Sequence, residues 1–343
     1  RGFVPAPLKA PLPASGYIAT SRGGPAPATA YALVHPYLGE IEGASRAGGT
    51  PTGGPGGGAA PSAGAPRAAG AEIRTEAPVA HVKVVDGRAA GVVLESGEEI
   101  EADHVLSSVD ARHTFLDLLP PGSLAPDFEA EVRRFRFRGS SGKVNLALDG
   151  LPSFTSLPGP GEHLRGAISF SPSLDYMERA YDDAKHGRFS REPYIDTIIP
   201  TLVDPTMAPP GKHVMSCFVQ YAPYRLAEGT WDEQREAFGD AVSDVIAERA
   251  PNIRDIILHR QVVTPLDMER DIGLTEGNIF QGELSLEQLF FNRPVPGWSR
   301  YRTPVEGLWL SGSSAHPGGG IMGANGRLAA LKVLAEKRNG GAA

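Results

Sequence analysis

The segment Ser311-Gly312-Ser313-Ser314-Ala315-His316-Pro317-Gly318-Gly319-Gly320-Ile321-Met322-Gly323 gathers three hydroxyls, one imidazole and five glycines. Glycine lets a backbone come close to a ligand. A helix that begins just after such a turn offers unpaired N–H groups and the positive end of its dipole. Binding of an anion or a cofactor is the chemistry these residue types support. The spacing Gly318-x-Gly320-x-x-Gly323 also matches the dinucleotide fingerprint in form. That fingerprint needs a later strand and an acidic residue about twenty positions on. Here the expected helix is the last element and Gly340-Gly341-Ala342-Ala343 cannot make that strand, so the turn reads as closing a site rather than opening one.

Other reactive residues narrow the choice. His316 has two readings that stand side by side: a general base, or a side chain that bonds the turn. No second His, Cys or carboxylate lies near it at ligand spacing, so no metal site is expected. Ser311, Ser313 and Ser314 do not form the Gly-x-Ser-x-Gly elbow of a serine hydrolase. Cys217 is the lone cysteine, within the apolar run Val214 to Val219. This excludes an internal disulfide and Cys-x-x-Cys chemistry, and predicts a small core side chain. Asp267, Glu269, Arg270 and Asp271 read as a solvated face or an ion-pair network. Gly277-Asn278-Ile279-Phe280-Gln281-Gly282-Glu283 reads as a loop closing over something. Among Phe170, Tyr176, Tyr181, Phe218, Tyr221, Tyr224, Phe290 and Phe291, most are expected in a core and a few in an apolar substrate cavity.

These groups need elements to hold them. Leu308 to Gly312 reads as a buried strand and Arg327 to Lys337 as a helix. Upstream, Ala71 to Arg74 and Val79 to Val85 read as strands, with hairpin turns at Asp86-Gly87 and Ser96-Gly97. Further strands are predicted over Ala90 to Leu94, Glu98 to Ala102 and Asp103 to Ser108, then a helix over Ala111 to Leu119. Arg134-Phe135-Arg136-Phe137-Arg138 alternates strictly, which predicts a strand with Phe inward and Arg outward. Lys143 to Leu148, Tyr194 to Pro200, His213 to Tyr221 and Ile253 to Val263 follow as strands, and Leu174 to Lys185 as a helix. Trp231 to Ala250 is an amphipathic helix whose apolar stripe is Ala237, Phe238, Ala241, Val242, Val245 and Ile246. Thr230 and Glu233 are spaced as its capping box.

Composition sets the outer bounds. A chain of 343 residues suits about two domains. Its net charge of −7 gives no general pull toward nucleic acid. Residues 1–70 read as a low-complexity or poorly ordered segment, since twelve of the nineteen residues from Gly48 to Pro66 are Gly or Pro. Thr29 to Leu38 is the one helical stretch there. The second glycine cluster, Gly53 to Gly58, has no strand before it and Pro61 and Pro66 after it, so a loop is expected. No apolar run approaches the ~20 residues of a membrane span. With no signal peptide visible, a cytoplasmic or organelle-interior location is expected. The chain begins at Arg1, which leaves a lost transit peptide open.

Several stretches together resemble one family. They are Asp204-Pro205-Thr206-Met207-Ala208-Pro209-Pro210-Gly211, Gln220-Tyr221-Ala222-Pro223-Tyr224, Thr264-Pro265-Leu266-Asp267-Met268-Glu269-Arg270 and Gly277 to Gly282. Arg293-Pro294, Tyr301-Arg302-Thr303-Pro304 and His316-Pro317-Gly318-Gly319-Gly320 complete the set. From about Ala71 to Glu336 the chain is similar to the phytoene desaturase-like, or carotenoid/retinoid oxidoreductase, FAD flavoproteins. Within them it resembles the branch of pyridine nucleotide-disulphide oxidoreductase domain-containing proteins. The resemblance implies an α/β fold: an FAD-binding domain like those of glutathione reductase and the amine oxidases, and an α+β substrate domain on a mixed sheet. It implies domain limits of 71–130 for the β-rich part of the FAD domain, 131–300 for the substrate domain and 301–343 for the C-terminal strand, turn and helix. It implies that Gly312, Ser313, His316, Gly318, Gly319, Gly320, Met322 and Gly323 contact FAD, with Val79 at the adenine end.

The family pattern departs here in one respect. Its opening strand–Gly-x-Gly-x-x-Gly–helix unit is not found in residues 1–70, and the helix expected before Ala71 is interrupted by Pro51, Pro55, Pro61 and Pro66. The implied function is an FAD-dependent oxidoreductase moving hydride between an apolar, lipid-like substrate and flavin, with peripheral membrane contact open to it. The alternatives are a non-catalytic binding or partner module, and a flavin-dependent isomerase.

Overall fold

The computed structural model describes residues 40–41, 44–45, 52–320 and 323–340. The helix expected over Thr29 to Leu38 and the contact expected at Met322 lie outside them. Strands β1 (Glu40–Ile41) and β2 (Ala44–Ser45) pair as a short ribbon, and helix α1 (Gly54–Ala68) follows. Next come β3 (Val79–Val85), β4 (Arg88–Leu94), β5 (Glu99–Glu101), β6 (Val105–Ser107) and α2 (Pro126–Arg134). Strands β7 (Ser141–Leu148), β8 (Ile168–Phe170), β9 (Tyr194–Ile198) and β10 (His213–Gln220) follow, with α3 (Leu174–Lys185) between β8 and β9. The chain ends through α4 (Trp231–Ala247), β11 (Ile257–Val263), α5 (Pro265–Ile272), β12 (Leu308–Leu310) and α6 (Ala324–Gly340). Two compact units result, one from residues 1–73 and 140–267, the other from 74–139 and 268–343.

The first unit holds a five-stranded sheet in the order β11-β7-β10-β9-β8. Period-two alternation puts Val144, Leu146 and Leu148 of β7 and Met215, Cys217 and Val219 of β10 on one buried face. Helix α4 lays Phe238, Val242, Val245 and Ile246 in the same core cluster. Its capping box forms as predicted: Thr230 Oγ1 accepts from the Glu233 N–H, and Glu233 Oε2 accepts from the Thr230 N–H. The sheet expected to be mixed pairs antiparallel at every described junction. Helix α4 carries the chain from β10 to β11, and β7 lies between those two strands. The crossover makes β10 and β11 run the same way, and β7 opposes both.

Helix α1 corrects the loop expected at Gly53 to Gly58. Pro55 lies in its first turn, where the missing N–H has no partner to lose. The Asp204 carboxylate receives the Gly53 N–H, 151 residues away in sequence, and so anchors the helix start. Pro61 and Pro66 each leave a carbonyl one turn back without its N–H, but that end of the helix is largely exposed and water can serve it. Buried Cys217 is the core side chain expected, and burial pushes its thiol up to about 11.

The second unit contains the sheet β3-β4-β5 and the parallel pair β6-β12. Asp86 and Gly87 both take positive φ, 50° and 79°, as the predicted two-residue hairpin requires. Its core clusters Phe115, Phe128, Val132, Val305, Leu308, Trp309 and Leu310. Three local expectations change. Residues 71–74 form no strand. His113–Asp117 winds as a π-type turn inside the helix expected over Ala111 to Leu119. Residues 135–138 are extended without strand pairing, although Phe135 and Phe137 are buried and the arginines exposed, as the alternation predicted. In the first unit, Ile253–Ile256 is a helical turn ahead of β11 rather than part of the strand.

Candidate functional site

The site is built from the end of β12 upward. Its three residues are buried, and Leu308, Trp309 and Leu310 pair in register with Val105, Leu106 and Ser107. The Ser311 N–H and hydroxyl both donate to the Ser107 carbonyl, at 2.7 and 3.1 Å. The next residue must be glycine, because a Cβ at Gly312 would run into the Ser108 carbonyl and lie 2.7 Å from Gln281 Oε1. Fully buried Ser314 accepts the Ala111 N–H at 3.0 Å and donates its hydroxyl to the Gln281 carbonyl. The loop expected to close over something, Gly277 to Glu283, therefore packs under the glycine turn. Asn278 shapes that loop, with its Oδ1 accepting the Phe280 and Gly282 N–H groups at 2.9 and 3.1 Å.

Arg293 joins the two segments and was not among the residues expected to matter by chemistry. It is fully buried, and all five of its N–H donors are directed at carbonyls. Nε serves Ser313, one terminal nitrogen serves Glu283 and Gln288, and the other serves Phe280 and Gly282. Burial lowers its pKa to about 9, which leaves it charged at neutral pH. Beneath it, buried Glu283 forms an ion pair with Arg138.

His316 resolves into two parts. Its carbonyl does the turn-bonding, accepting Tyr301 Oη at 3.0 Å and Asn325 Nδ2 at 3.3 Å. Its ring does not: Nδ1 is buried without a partner. Burial, and then the charge of Arg293, hold its pKa below the ordinary 6.5. The imidazole is therefore neutral at pH 7 and free to bond a ligand.

The glycines separate in the same way. Gly318 packs against Leu284 and Arg293, and a Cβ at Gly319 would lie 2.6 Å from the Phe280 ring. Gly320 and Gly323 are exposed, with φ of 151° and 65°, and a Cβ at Gly323 would meet open space. Helix α6 starts immediately afterwards. Its first turn has no acidic residue, and Asn325 turns its amide back to the Ala315 carbonyl at 2.8 Å. A helix start of this kind can offer N–H groups to an anion. Val79 lies elsewhere, at the half-exposed beginning of β3 opposite Leu94. Gly312, Ser313, His316, Gly318, Gly319, Gly320 and Gly323 share one turn, and Val79 belongs to another sheet.

A second polar group, not singled out from the sequence, follows β6. Buried Asp110 accepts the His113 N–H at 3.0 Å and the Thr275 N–H at 3.2 Å, and lies 3.3 Å from His113 Nδ1. The hydrogen bond to Asp110 raises the His113 pKa. Burial pushes Asp110 upward, but the bonds from His113 and Thr275 outweigh it and the net shift is downward.

Residues 25–255 match the family described as flavin containing amine oxidoreductase, a stretch that ends before the glycine turn. Pyridine nucleotide-disulfide oxidoreductase domain-containing protein 2 of Rattus norvegicus is 42% identical over 98% of this chain and 60% of its own length. The chain thus spans about three fifths of that relative. A lycopene-forming phytoene desaturase of a Paracoccus strain is 26% identical over 74% of this chain and 48% of its own. The crystal structure of an oxidoreductase from Methanosarcina mazei superposes with a TM-score of 0.54 at 21% identity, over 82% of this chain and 54% of that one. That likeness supports the fold alone. No described helix is long and apolar enough to cross a membrane.

Proposed function

Because the chain belongs to the flavin containing amine oxidoreductase family, we propose that it forms part of an FAD-dependent oxidoreductase moving hydride between an apolar, lipid-like substrate and flavin. The observation that carries this reading is the start of α6: two exposed positive-φ glycines ahead of a helix whose first turn has no acidic side chain. The backbone of Gly312, Ser313, Gly318, Gly319, Gly320, Met322 and Gly323 would hold the cofactor, with His316 beside it and Val79 at the adenine end. FAD, when bound, supplies the hydride-accepting chemistry. The chain's own part is to position and to stabilise charge. N–H groups ahead of Asn325 favour negative charge where they point, and neutral His316 accepts a hydrogen bond or a proton at Nδ1. The apolar substrate rests on the likeness to the Paracoccus desaturase.

The test is retention of flavin by the 343-residue chain. FAD is added, excess is removed by gel filtration, and the visible flavin bands are read. Bands that survive in the native chain and weaken in Gly323→Asp support the reading, because an aspartate there repels an anionic ligand. A featureless spectrum overturns it for this chain.

The packing favours a second reading. Gly312 and Gly319 already have protein neighbours that require glycine, and Gly318 takes a φ of 108° that favours it. A non-catalytic binding or partner module would keep those three and bind no flavin. Where flavin is retained, the mass of the product separates a dehydrogenase from an isomerase.

A further inference from the structure

The first unit carries a cavity of about 760 Å³ that opens to solvent. It lies between β8, α3, the C-terminal turn of α4 and the loop that carries Phe154 and His163. Its apolar wall includes Phe154, Phe170, Ile168 and Val245. Phe154 and Val245 come from the core cluster on the α4 side of the sheet, so this wall is an opening in the main core. A space of this size holds a molecule of ten or more heavy atoms.

Two polar groups in the lining are left over by the protein. Ser171 is 5% exposed, and its hydroxyl is buried with no hydrogen-bond partner. The same holds for Nε2 of His163. Buried polar groups without partners are uncommon, and each is destabilising unless something occupies its site. Neighbouring polar groups are already engaged: Tyr176 Oη donates to the Pro193 carbonyl at 2.9 Å and Ser169 Oγ to Asp196 at 2.9 Å. The charged groups on the wall balance in number, Arg179 and Arg249 against Glu192 and Glu248. Arg249 and Glu248 pair with each other at 3.4 Å. Arg179 and Glu192 are both exposed, and Arg179 has no ion-pair partner among the described residues.

We propose that this cavity binds an amphiphilic monocarboxylate. Its apolar body lies on Phe154, Phe170 and Val245, and its carboxylate accepts from Ser171 Oγ and His163 Nε2 and draws on the charge of Arg179. The cavity is lined only by residues of the first unit, and none of the glycine-turn residues takes part. The proposal therefore stands apart from the flavin reading.

Decanoate, below its micelle concentration, is titrated calorimetrically into the 343-residue chain without added flavin. Decanol and decylammonium serve as probes with the same tail. The expected result is saturable binding of one decanoate, with decanol and decylammonium each bound about tenfold or more weakly. Ser171→Ala, which removes one small hydroxyl, weakens decanoate by about tenfold with its melting temperature retained, and His163→Phe does the same. Equal binding of all three probes, tighter binding of decylammonium, unchanged affinity in both variants, or no saturable binding overturns the proposal. In the last case the orphan groups are served by water.

Discussion

Arg293 donates through Nε to the carbonyl of Ser313 at 2.9 Å, and its four other N–H groups hold the loop from Phe280 to Gln288. One buried guanidinium thus fixes both walls of the glycine turn. Lysine offers three donors on a single nitrogen and cannot reach five carbonyls. Arg293→Lys is expected to destabilise the chain by about 3 kcal/mol or more, since buried acceptors are left unpaired. Urea unfolding of the two proteins checks this, and a difference below about 1 kcal/mol would contradict the carbonyl cage.

His316 and His113 act on stability in opposite directions as pH changes. The folded pKa of His316 lies below 6.5, so the unfolded chain binds its proton first. Its contribution is present above that pH and is lost as pH falls through the folded value. The folded pKa of His113 lies above 6.5. Its contribution is full below that pH and is lost as pH rises through the folded value. His316→Gln should flatten the acid side of the stability curve and His113→Gln the neutral-to-alkaline side. Urea midpoints measured across pH 4 to 9, roughly the range in which histidine titrates, give the two slopes, and the same flank altered in both variants would refute the assignment.

Two glycines of the turn should respond differently to alanine. In Gly319→Ala the new Cβ meets the Phe280 ring, and overpacking should cost about 1–3 kcal/mol. Gly323→Ala meets nothing but takes a φ of 65°, with strain of about 1–2 kcal/mol. Only in the first variant should Phe280→Ala restore stability, which a double-mutant cycle measures.

Phe238 is buried among Trp231 and Phe189, each with its ring centroid 5.4 Å away. Phe238→Ala should cost about 3–5 kcal/mol, and Phe238→Leu markedly less. Chemical unfolding followed by tryptophan fluorescence would report both, and equal losses would show that ring volume is not what holds α4 to the sheet.

What was legible in the sequence was local. Helix α4 carries its apolar stripe and its Thr230–Glu233 cap within one segment, and the Asp86-Gly87 hairpin needs only its own two residues. Ala237, placed on the stripe by spacing, is exposed because the sheet covers a narrower face than the pattern allows. Residues held from a distance were not legible. Helix α1 depends on Asp204, and no local pattern links that carboxylate to Gly53. Residues 135–138 have the side-chain alternation of a strand, yet several of their backbone groups are taken by side chains: the Arg136 N–H donates to Gln288 Oε1, and the Phe137 carbonyl accepts from Asn278. Within the candidate site, the glycine turn itself could be read directly. Arg293, Ser314 and Gln281, which brace it, could not, because their partners are backbone atoms that carry no residue-type signature.

The parallel pairing of β6 with β12 joins Val105 to Leu308 across the whole segment that builds the five-stranded sheet. During synthesis the earlier half of that pair emerges long before its partner. Val105 to Ser107 must wait with one strand edge unpaired while residues 140–267 are made and can fold as a body of their own. The glycine turn thus forms only after residues 140–267 have been made. A nascent chain stalled before Leu308 would carry a folded five-stranded sheet and a β6 still open at one edge, a species for chaperones to shield rather than one able to hold a ligand.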